Sequence, residues 1–129
     1  MDPVRDTEAR VLKNYTIANP SYINLDAQSF LKHLERRRSL FQHKLRVPTQ
    51  LFKKSRCLDF GAGTGEQDLC YAHWGAALSL VEINPKSVDL LLKYFDMFKL
   101  SDQLEEIYNG SVFDFSPNGL YNIVISEGV

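Results

Sequence analysis

The segment from Leu58 to Pro85 constrains the fold of this chain more than any other part of the sequence. It contains LDFGAGTGEQDLCYAHWGAALSLVEINP, which combines an apolar strand end, a glycine-rich turn, a helix and a second apolar strand that ends in an acid. Glycine permits a tight turn and lets a ligand approach the backbone closely. This order and spacing predict a βαβ unit in which the turn and the acid lie at the same edge of a parallel sheet.

The turn glycines favour one kind of ligand over another. Gly61, Gly63 and Gly65 are spaced G-x-G-x-G, whereas a dinucleotide-binding turn requires G-x-G-x-x-G. Glu66 stands where the last glycine of that fingerprint would fall, and its carboxylate would satisfy the helix dipole and repel a diphosphate. Asp59 places a second carboxylate next to the turn. The turn therefore favours a ligand that has positive charge and no phosphate.

Four stretches of the chain together resemble the class I methyltransferases that use S-adenosylmethionine. LDFGAGTGE is similar to their first motif, and LSLVEINP resembles their second strand, which ends in an acid that binds ribose. NGSVFDFS at residues 109–116 resembles the end of their third strand, and YNIVISEGV at residues 121–129 resembles the opening of their fourth. The resemblance covers roughly residues 55–129. It implies an α/β fold with a Rossmann-like, mostly parallel sheet and helices on both faces.

The resemblance also implies S-adenosyl-L-methionine as the cofactor and a set of residues that would bind it. Glu82 would accept hydrogen bonds from the ribose hydroxyls, Ile83 would cover a face of the adenine, and Asp114 would contact the adenine amino group. Ser126 and Glu127 would lie at the mouth, where a methyl acceptor enters. The methionyl end would lie against Asp59, Gly61, Ala62, Gly63 and Gly65. The sequence SEGV after the fourth strand assigns no catalytic residue.

Other interpretations of the same residues stay open. The pair Gly110–Ser111 stands where many relatives have glycine and aspartate, so Asp114 can equally be a residue of the turn that follows. Glu82 can be a solvated strand end, and the glycines can serve only the turn. The chain as a whole can then be a non-catalytic nucleoside-binding or regulatory module, or an NAD-type dinucleotide-binding domain.

The histidines and the arginine run lack the pattern of a binding site. His33, His43 and His73 have no metal-ligand spacing, so each is expected at the surface or at a helix end, and no metal is expected. The run Arg36–Arg38 is expected to be a solvated helix face. An RNA acceptor would use that run together with Lys53, Lys54 and Arg56. The net charge of −1 gives no sign of a nucleic-acid partner, and a small molecule is the expected acceptor, ahead of RNA or protein.

The chain divides into two parts, with residues 1–50 expected to form an N-terminal arm and helix and residues 51–129 a partial methyltransferase domain. A complete domain of the family has seven strands, so a C-terminally truncated form with strands in the order 3-2-1-4 is expected. Its fourth strand would be a bare edge through which the chain can self-associate. The predicted elements are helices over residues 27–45 and 66–74, a helix from residue 84, and strands over 77–83, 104–109 and 121–126.

Composition sets the remaining limits. A chain of 129 residues with 44% hydrophobic and 24% charged residues is ordinary material for one globular domain. Cys57 and Cys70 are expected to be reduced core thiols, which favours the cytoplasm. No apolar run reaches the roughly 18 residues that span a bilayer, so no membrane partner is expected.

Overall fold

The computed structural model describes residues 3–17 and 25–127. Four strands form one parallel sheet in the order β3-β2-β1-β4, which confirms the predicted α/β fold and strand order. The helices and strands are α1 (Pro3–Ile17), α2 (Ala27–Ser39), a π-helical segment (Leu40–Leu45), β1 (Arg56–Phe60), α3 (Glu66–His73), β2 (Ala77–Glu82), α4 (Pro85–Met97), β3 (Leu104–Asn109) and β4 (Ile123–Ser126), with short 3-10 turns at Thr49–Phe52 and Ser101–Gln103.

The register of the sheet brings the functional segments together at the carboxyl ends of its strands. In the central strand β1, Phe60 lies opposite Val81 of β2 and Ser126 of β4. At the end of β2, Glu82 lies opposite Asn109 of β3. The carboxyl ends of parallel strands form the edge at which open α/β sheets bind ligands. The glycine turn, the end of β2, the loop after β3 and Glu127 therefore all begin at that edge.

Local capping explains where the helices begin and end. The Asp26 side chain accepts from the Ser29 N–H at 2.7 Å and starts α2, and the helical path continues through the π-helical segment to Leu45, as predicted. The Asn84 side chain caps α4 by accepting from the Lys86 N–H at 3.0 Å. Gly75 follows α3 with φ of 102°, a left-handed conformation that suits glycine after a helix.

An aromatic cluster forms the core between α2, α3 and the 3-10 turn before β1. Phe52 stacks on Tyr71 with ring centroids 4.9 Å apart, and Phe41 meets both rings edge-on. Cys57 and Cys70 are fully buried and free, as predicted. Burial raises the pKa of Cys70 to about 12, so this thiol is an inert core residue.

Two sequence-based expectations on α2 were wrong. His33 is only 5% exposed and its Nε2–H donates to the Glu66 carbonyl at 2.9 Å, and Arg37 is 9% exposed. Both residues follow the helical spacing that also buries Phe30 and Phe41, so they lie on the face that packs against α3. The arginine run is therefore not one solvated face, because Arg36 and Arg38 are exposed while Arg37 points inward.

The two ends of the described chain differ from the expected pattern in extent. The expected N-terminal arm contains a helix of 15 residues, α1, which precedes α2. At the other end, β4 begins at Ile123 instead of residue 121 and pairs only with β1 among the described strands. Val124 is 59% exposed on this strand. Within residues 3–17 and 25–127, none of the helices has the length and apolar character that crossing a membrane requires.

Candidate functional site

The glycine turn between β1 and α3 has a conformation that depends on its glycines. Gly61, Gly63 and Gly65 have φ values of 75°, 61° and 83°, in the left-handed region. A Cβ added to Gly65 would lie 2.8 Å from Cγ of Leu91 on α4, whereas one added to Gly63 would meet nothing within 4 Å. Gly65 therefore allows α4 to pack closely on the turn, and Gly63 leaves open space beside it.

The backbone amides of this turn donate to protein acceptors. The N–H groups of Gly61 and Ala62 both donate to the Val81 carbonyl, at 2.8 and 3.2 Å. The Gly63 N–H donates to Oε1 of Glu82 at 2.8 Å, and the Gly65 N–H donates to the Ala62 carbonyl at 3.1 Å. A phosphate-binding loop needs such amides free to cradle the anion. This turn is consequently poorly suited to a pyrophosphate.

Glu82 joins the turn to the end of β2. One carboxylate oxygen accepts from Gly63, and the other accepts from the Asn84 N–H at 2.8 Å. The Asn109 side chain donates to the backbone carbonyls of Glu82 and Ile83, at 2.9 and 3.2 Å, and so holds the segment after β2 against β3. Each carboxylate oxygen has a second lone pair, and the side chain is only half-buried. Glu82 can therefore accept further hydrogen bonds from a ligand.

A cleft of about 180 Å³ lies beside the turn. Three carboxylates line it, those of Asp59, Glu66 and Glu127, and the Thr64 hydroxyl donates to Glu66. Oε1 of Gln67, which also lines the cleft, is buried and has no hydrogen-bond partner. An acidic lining with an unused acceptor suits a ligand that carries positive charge and N–H or O–H donors. The remaining lining residues are Gly61, Ala62 and Gly63.

An ion pair with the buried Arg37 fixes the half-exposed Glu127 at one wall of the cleft. Two Arg37 nitrogens, Nη2 and Nη1, donate to its carboxylate at 2.7 and 3.2 Å, and the Tyr71 hydroxyl donates to it as well. Burial alone would raise the pKa of Glu127, but the hydrogen bonds from Arg37 and Tyr71 outweigh it and hold that pKa below its ordinary value. Glu127 is therefore a fixed anion at neutral pH.

The carboxyl group of Asp59, one of the three at the cleft, is paired with that of the buried Asp68. Asp59 on β1 and Asp68 on α3 are both buried, and their carboxyl groups are within hydrogen-bonding range of each other. Burial raises the pKa of Asp59 to about 6 and that of Asp68 well above its ordinary value, because two charges cannot be solvated there.

Not all the predicted site residues lie at this cleft. Ser126 is exposed opposite Phe60, and Ile83 follows β2 on the side toward β3. The carboxylate of Asp114 is held by Arg5 of α1, with nitrogen to oxygen distances of 2.6 and 3.1 Å. In the same region the Ser111 hydroxyl donates to Glu8 at 2.7 Å. The loop after β3 is thus tied to α1 rather than to the turn.

Sequence reasoning missed several residues that the structure brings to the cleft or into contact with the residues that line it. Arg37 could have been found from its helical spacing with the apolar residues of α2. No local pattern distinguishes the others, because they depend on α3 packing against the sheet. These residues are Thr64, Gln67, Asp68 and Tyr71.

Comparison with solved structures places this architecture in a known class: the fold is that of class I methyltransferases that depend on S-adenosylmethionine, over strands one to four. No protein-family model and no curated protein sequence matches the chain. Among solved structures, Arabidopsis thaliana protein arginine methyltransferase 10 is similar over 79% of this chain and 27% of its own, with 26% identity and a TM-score of 0.57.

Two further solved structures show the same fold. The Trypanosoma brucei PRMT1 enzyme–prozyme heterotetrameric complex with AdoHcy matches over 78% of this chain and 31% of its own, at 24% identity and a TM-score of 0.58. A provisionally assigned RNA methyltransferase from Pyrococcus horikoshii matches over 98% and 59%, at 23% identity and a TM-score of 0.53. The chain therefore spans between 27% and 59% of the length of these three structures.

Proposed function

We propose that this chain binds S-adenosylmethionine at the cleft beside the glycine turn and serves as the cofactor-binding part of a methyltransferase. The observation that carries the proposal is the hydrogen bond from Gly63 to Glu82, which joins the turn to the acid of the second strand. The acidic lining and the occupied turn amides support a cationic, phosphate-free nucleoside over a dinucleotide. The likeness in fold to methyltransferases, one of them a complex with AdoHcy, supports the same ligand.

Different predicted residues would contact different parts of S-adenosylmethionine. Glu82 would accept from the ribose hydroxyls through its remaining lone pairs, and Ile83 would cover the adenine. Asp114 would reach the adenine amino group only after Arg5 releases its carboxylate, because the two side chains are paired. Ser126 would border the acceptor entrance. The ammonium and sulfonium end would face Asp59, Glu127 and the turn at Gly61, Ala62 and Gly63, which line the cleft. Gly65 does not line the cleft and would act by allowing α4 to pack against the turn.

In methyl transfer the protein contributes the positions of the reactants rather than covalent catalysis. When bound, S-adenosylmethionine supplies an activated methyl group on a sulfonium, and transfer is an in-line displacement that depends on orientation in a dry site. Glu127, held by Arg37 and Tyr71, would present a fixed negative charge where an acceptor enters. That charge repels a phosphate backbone, so we infer a small-molecule acceptor in preference to RNA. The buried free thiols support a cytoplasmic location.

Glu82→Ala is expected to weaken binding of S-adenosylhomocysteine by about 10- to 100-fold. The substitution removes charge-assisted hydrogen bonds to ribose hydroxyls, which contribute on the order of 1.5–3 kcal/mol. Isothermal titration calorimetry with S-adenosylhomocysteine and, separately, with NAD measures the effect. The wild-type chain is expected to prefer the sulfur nucleoside.

The matched control for this experiment is Glu106→Ala, which changes an acid in the middle of β3, opposite Ser79, away from the carboxyl ends of the strands. It should bind like the wild type. Circular dichroism establishes that both variants remain folded. Equal affinity of the wild-type chain for both ligands, or no affinity for either, would contradict the proposed ligand and favour a dinucleotide domain or a non-binding module.

We infer in addition that the free edge of β4 lets the chain self-associate. Among the described strands only β1 pairs with β4, and Val124 is exposed there. Val124→Lys places a charge on this edge and is expected to shift the chain toward monomer in sedimentation velocity. A wild-type chain that sediments as a concentration-independent monomer would exclude this association.

A further inference from the structure

The fully buried Asp68 has no role in the site as described so far. Neither of its carboxylate oxygens has an N–H or O–H donor from another described residue, and no part of the side chain reaches solvent. Its carboxyl group instead faces that of Asp59, which lines the cleft. Two buried carboxyl groups in contact are strongly repulsive when both are ionised, and one shared proton converts the repulsion into a hydrogen bond.

The sequence position of the two residues makes the pair rigid. Asp59 belongs to the central strand β1, whose register with β2 and β4 holds it between Leu80 and Ile125. Asp68 lies in the first turn of α3, whose start is set by the glycine turn. Because the strand and the helix are connected by only five residues, Gly61–Gly65, the two carboxyl groups cannot separate without changing the turn itself.

We propose that Asp59 and Asp68 share a single proton in the free protein, and that the pair releases this proton when the ammonium group of the ligand binds against Asp59. This inference rests on the proposed function, which supplies the positively charged ligand. The proton passes to solvent, and the positive charge of the ligand replaces it, so the net charge of the buried region is unchanged. Cofactor affinity is thereby linked to pH through a residue that does not touch the cofactor.

The elements packed against Asp59 and Asp68 contribute several other charged or titratable groups. Most of its neighbours are acidic, which opposes full ionisation, and the cation Arg37 is already paired with Glu127. The nearby thiols remain protonated because burial raises the pKa of both. His33, which donates to the Glu66 carbonyl, is a separate group whose pKa burial lowers. The groups that act on the pair are Glu66, Cys57, Cys70, Tyr71, Glu82, Glu127 and Arg37.

The free protein provides the first test, which needs no ligand. Carboxyl carbon chemical shifts of Asp59 and Asp68, followed by NMR from pH 3 to 8 with assignment through the Asp68→Asn variant, should titrate in two linked steps. One step is expected near pH 6, because burial raises the pKa of Asp59 to about that value. In Asp68→Asn, Asp59 should titrate at lower pH, because the asparagine amide can donate to it. Two independent titrations near the ordinary aspartate value of about 3.9 would overturn the shared proton.

Ligand binding provides the second test. Isothermal titration calorimetry of S-adenosylhomocysteine at pH 5.5, in two buffers that differ in ionisation enthalpy, should show release of about 0.5–1 proton per ligand bound. Affinity should be about tenfold weaker at pH 5 than at pH 7, in the manner of a single linked proton. Asp68→Asn should lose both effects. Asp96→Asn, which changes an exposed aspartate of α4, should keep both.

The probe 5′-methylthioadenosine tests whether the ammonium group of the ligand causes the proton release. This probe has the nucleoside and the sulfur but no ammonium group. It should bind without proton release. Release of protons with this probe, or equal release from the wild type and Asp68→Asn, would overturn the inference while leaving the ligand assignment intact. Absence of binding by S-adenosylhomocysteine would overturn the proposed function and the ligand-linked release together, and the NMR titration would still decide whether the pair shares a proton.

Discussion

Replacing Gly65 by alanine is expected to lower the free energy of unfolding by about 2–5 kcal/mol. The residue has φ of 83°, and an L-residue in the left-handed region costs roughly 1–2 kcal/mol. The new methyl group would also lie 2.8 Å from Cγ of Leu91, which is fully buried and cannot move aside freely. Forcing an extra methyl group into such a packed contact adds about 1–3 kcal/mol. Urea denaturation followed by circular dichroism measures the loss.

The control for this prediction is Gly63→Ala two residues earlier. Gly63 has φ of 61° but open space around its Cβ position, so only the conformational part of the cost, about 1–2 kcal/mol, is expected. The difference between the two variants isolates the contact with Leu91. Equal losses in the two variants would mean that α4 does not pack on the turn as described.

Replacing Arg37 by alanine is expected to lower the free energy of unfolding by about 2–3 kcal/mol. Removing one partner of a buried ion pair costs about 3–5 kcal/mol, and the value is reduced here because the Glu127 side chain is 45% exposed. The change also removes the guanidinium from the face of Phe41 and from its hydrogen bond to the Tyr71 hydroxyl. Arg38→Ala, on the exposed side of the same helix, is expected to change stability by less than about 0.5 kcal/mol.

The pH dependence of this loss identifies its electrostatic part. The pKa of Glu127 is lowered in the folded protein, so its contribution is present above the unfolded value of 4.5 and is lost as the pH falls through the folded value. The difference in stability between the wild type and Arg37→Ala should therefore shrink in acid. A difference that stays constant from pH 7 to pH 3 would assign the effect to packing alone. A double-mutant cycle with Glu127→Gln would then show no coupling.

Local sequence signals were sufficient for the framework of the molecule. Asn84 and Pro85 mark the start of α4, and Gly75 marks the end of α3, because caps depend on a few adjacent residues. The meeting of the turn with Glu82 also followed, because the strands of a βαβ unit end on the same side of the sheet. The strand order came from the resemblance to class I methyltransferases.

Local sequence signals could not predict the environment of the individual charged residues. An arginine in a run of three and an aspartate in a helical first turn have the composition of surface residues, and Arg37 and Asp68 are nevertheless buried. Helical periodicity contained part of this information for Arg37. For Asp68 it did not, since its burial depends on how closely α3 lies on β1.

The sequence by itself thus determined the order of the elements, the glycine turn and the acid that follows it. Only the tertiary structure decided that Arg37 pairs with Glu127, that Asp59 faces Asp68, and that Asp114 is held by Arg5. The physical reason is the distance along the sequence over which each interaction acts. Turns and caps are decided within a few residues, whereas these three pairs join different elements, which only the folded chain brings together. For Asp59 and Asp68, the raised pKa values also require packing that excludes water.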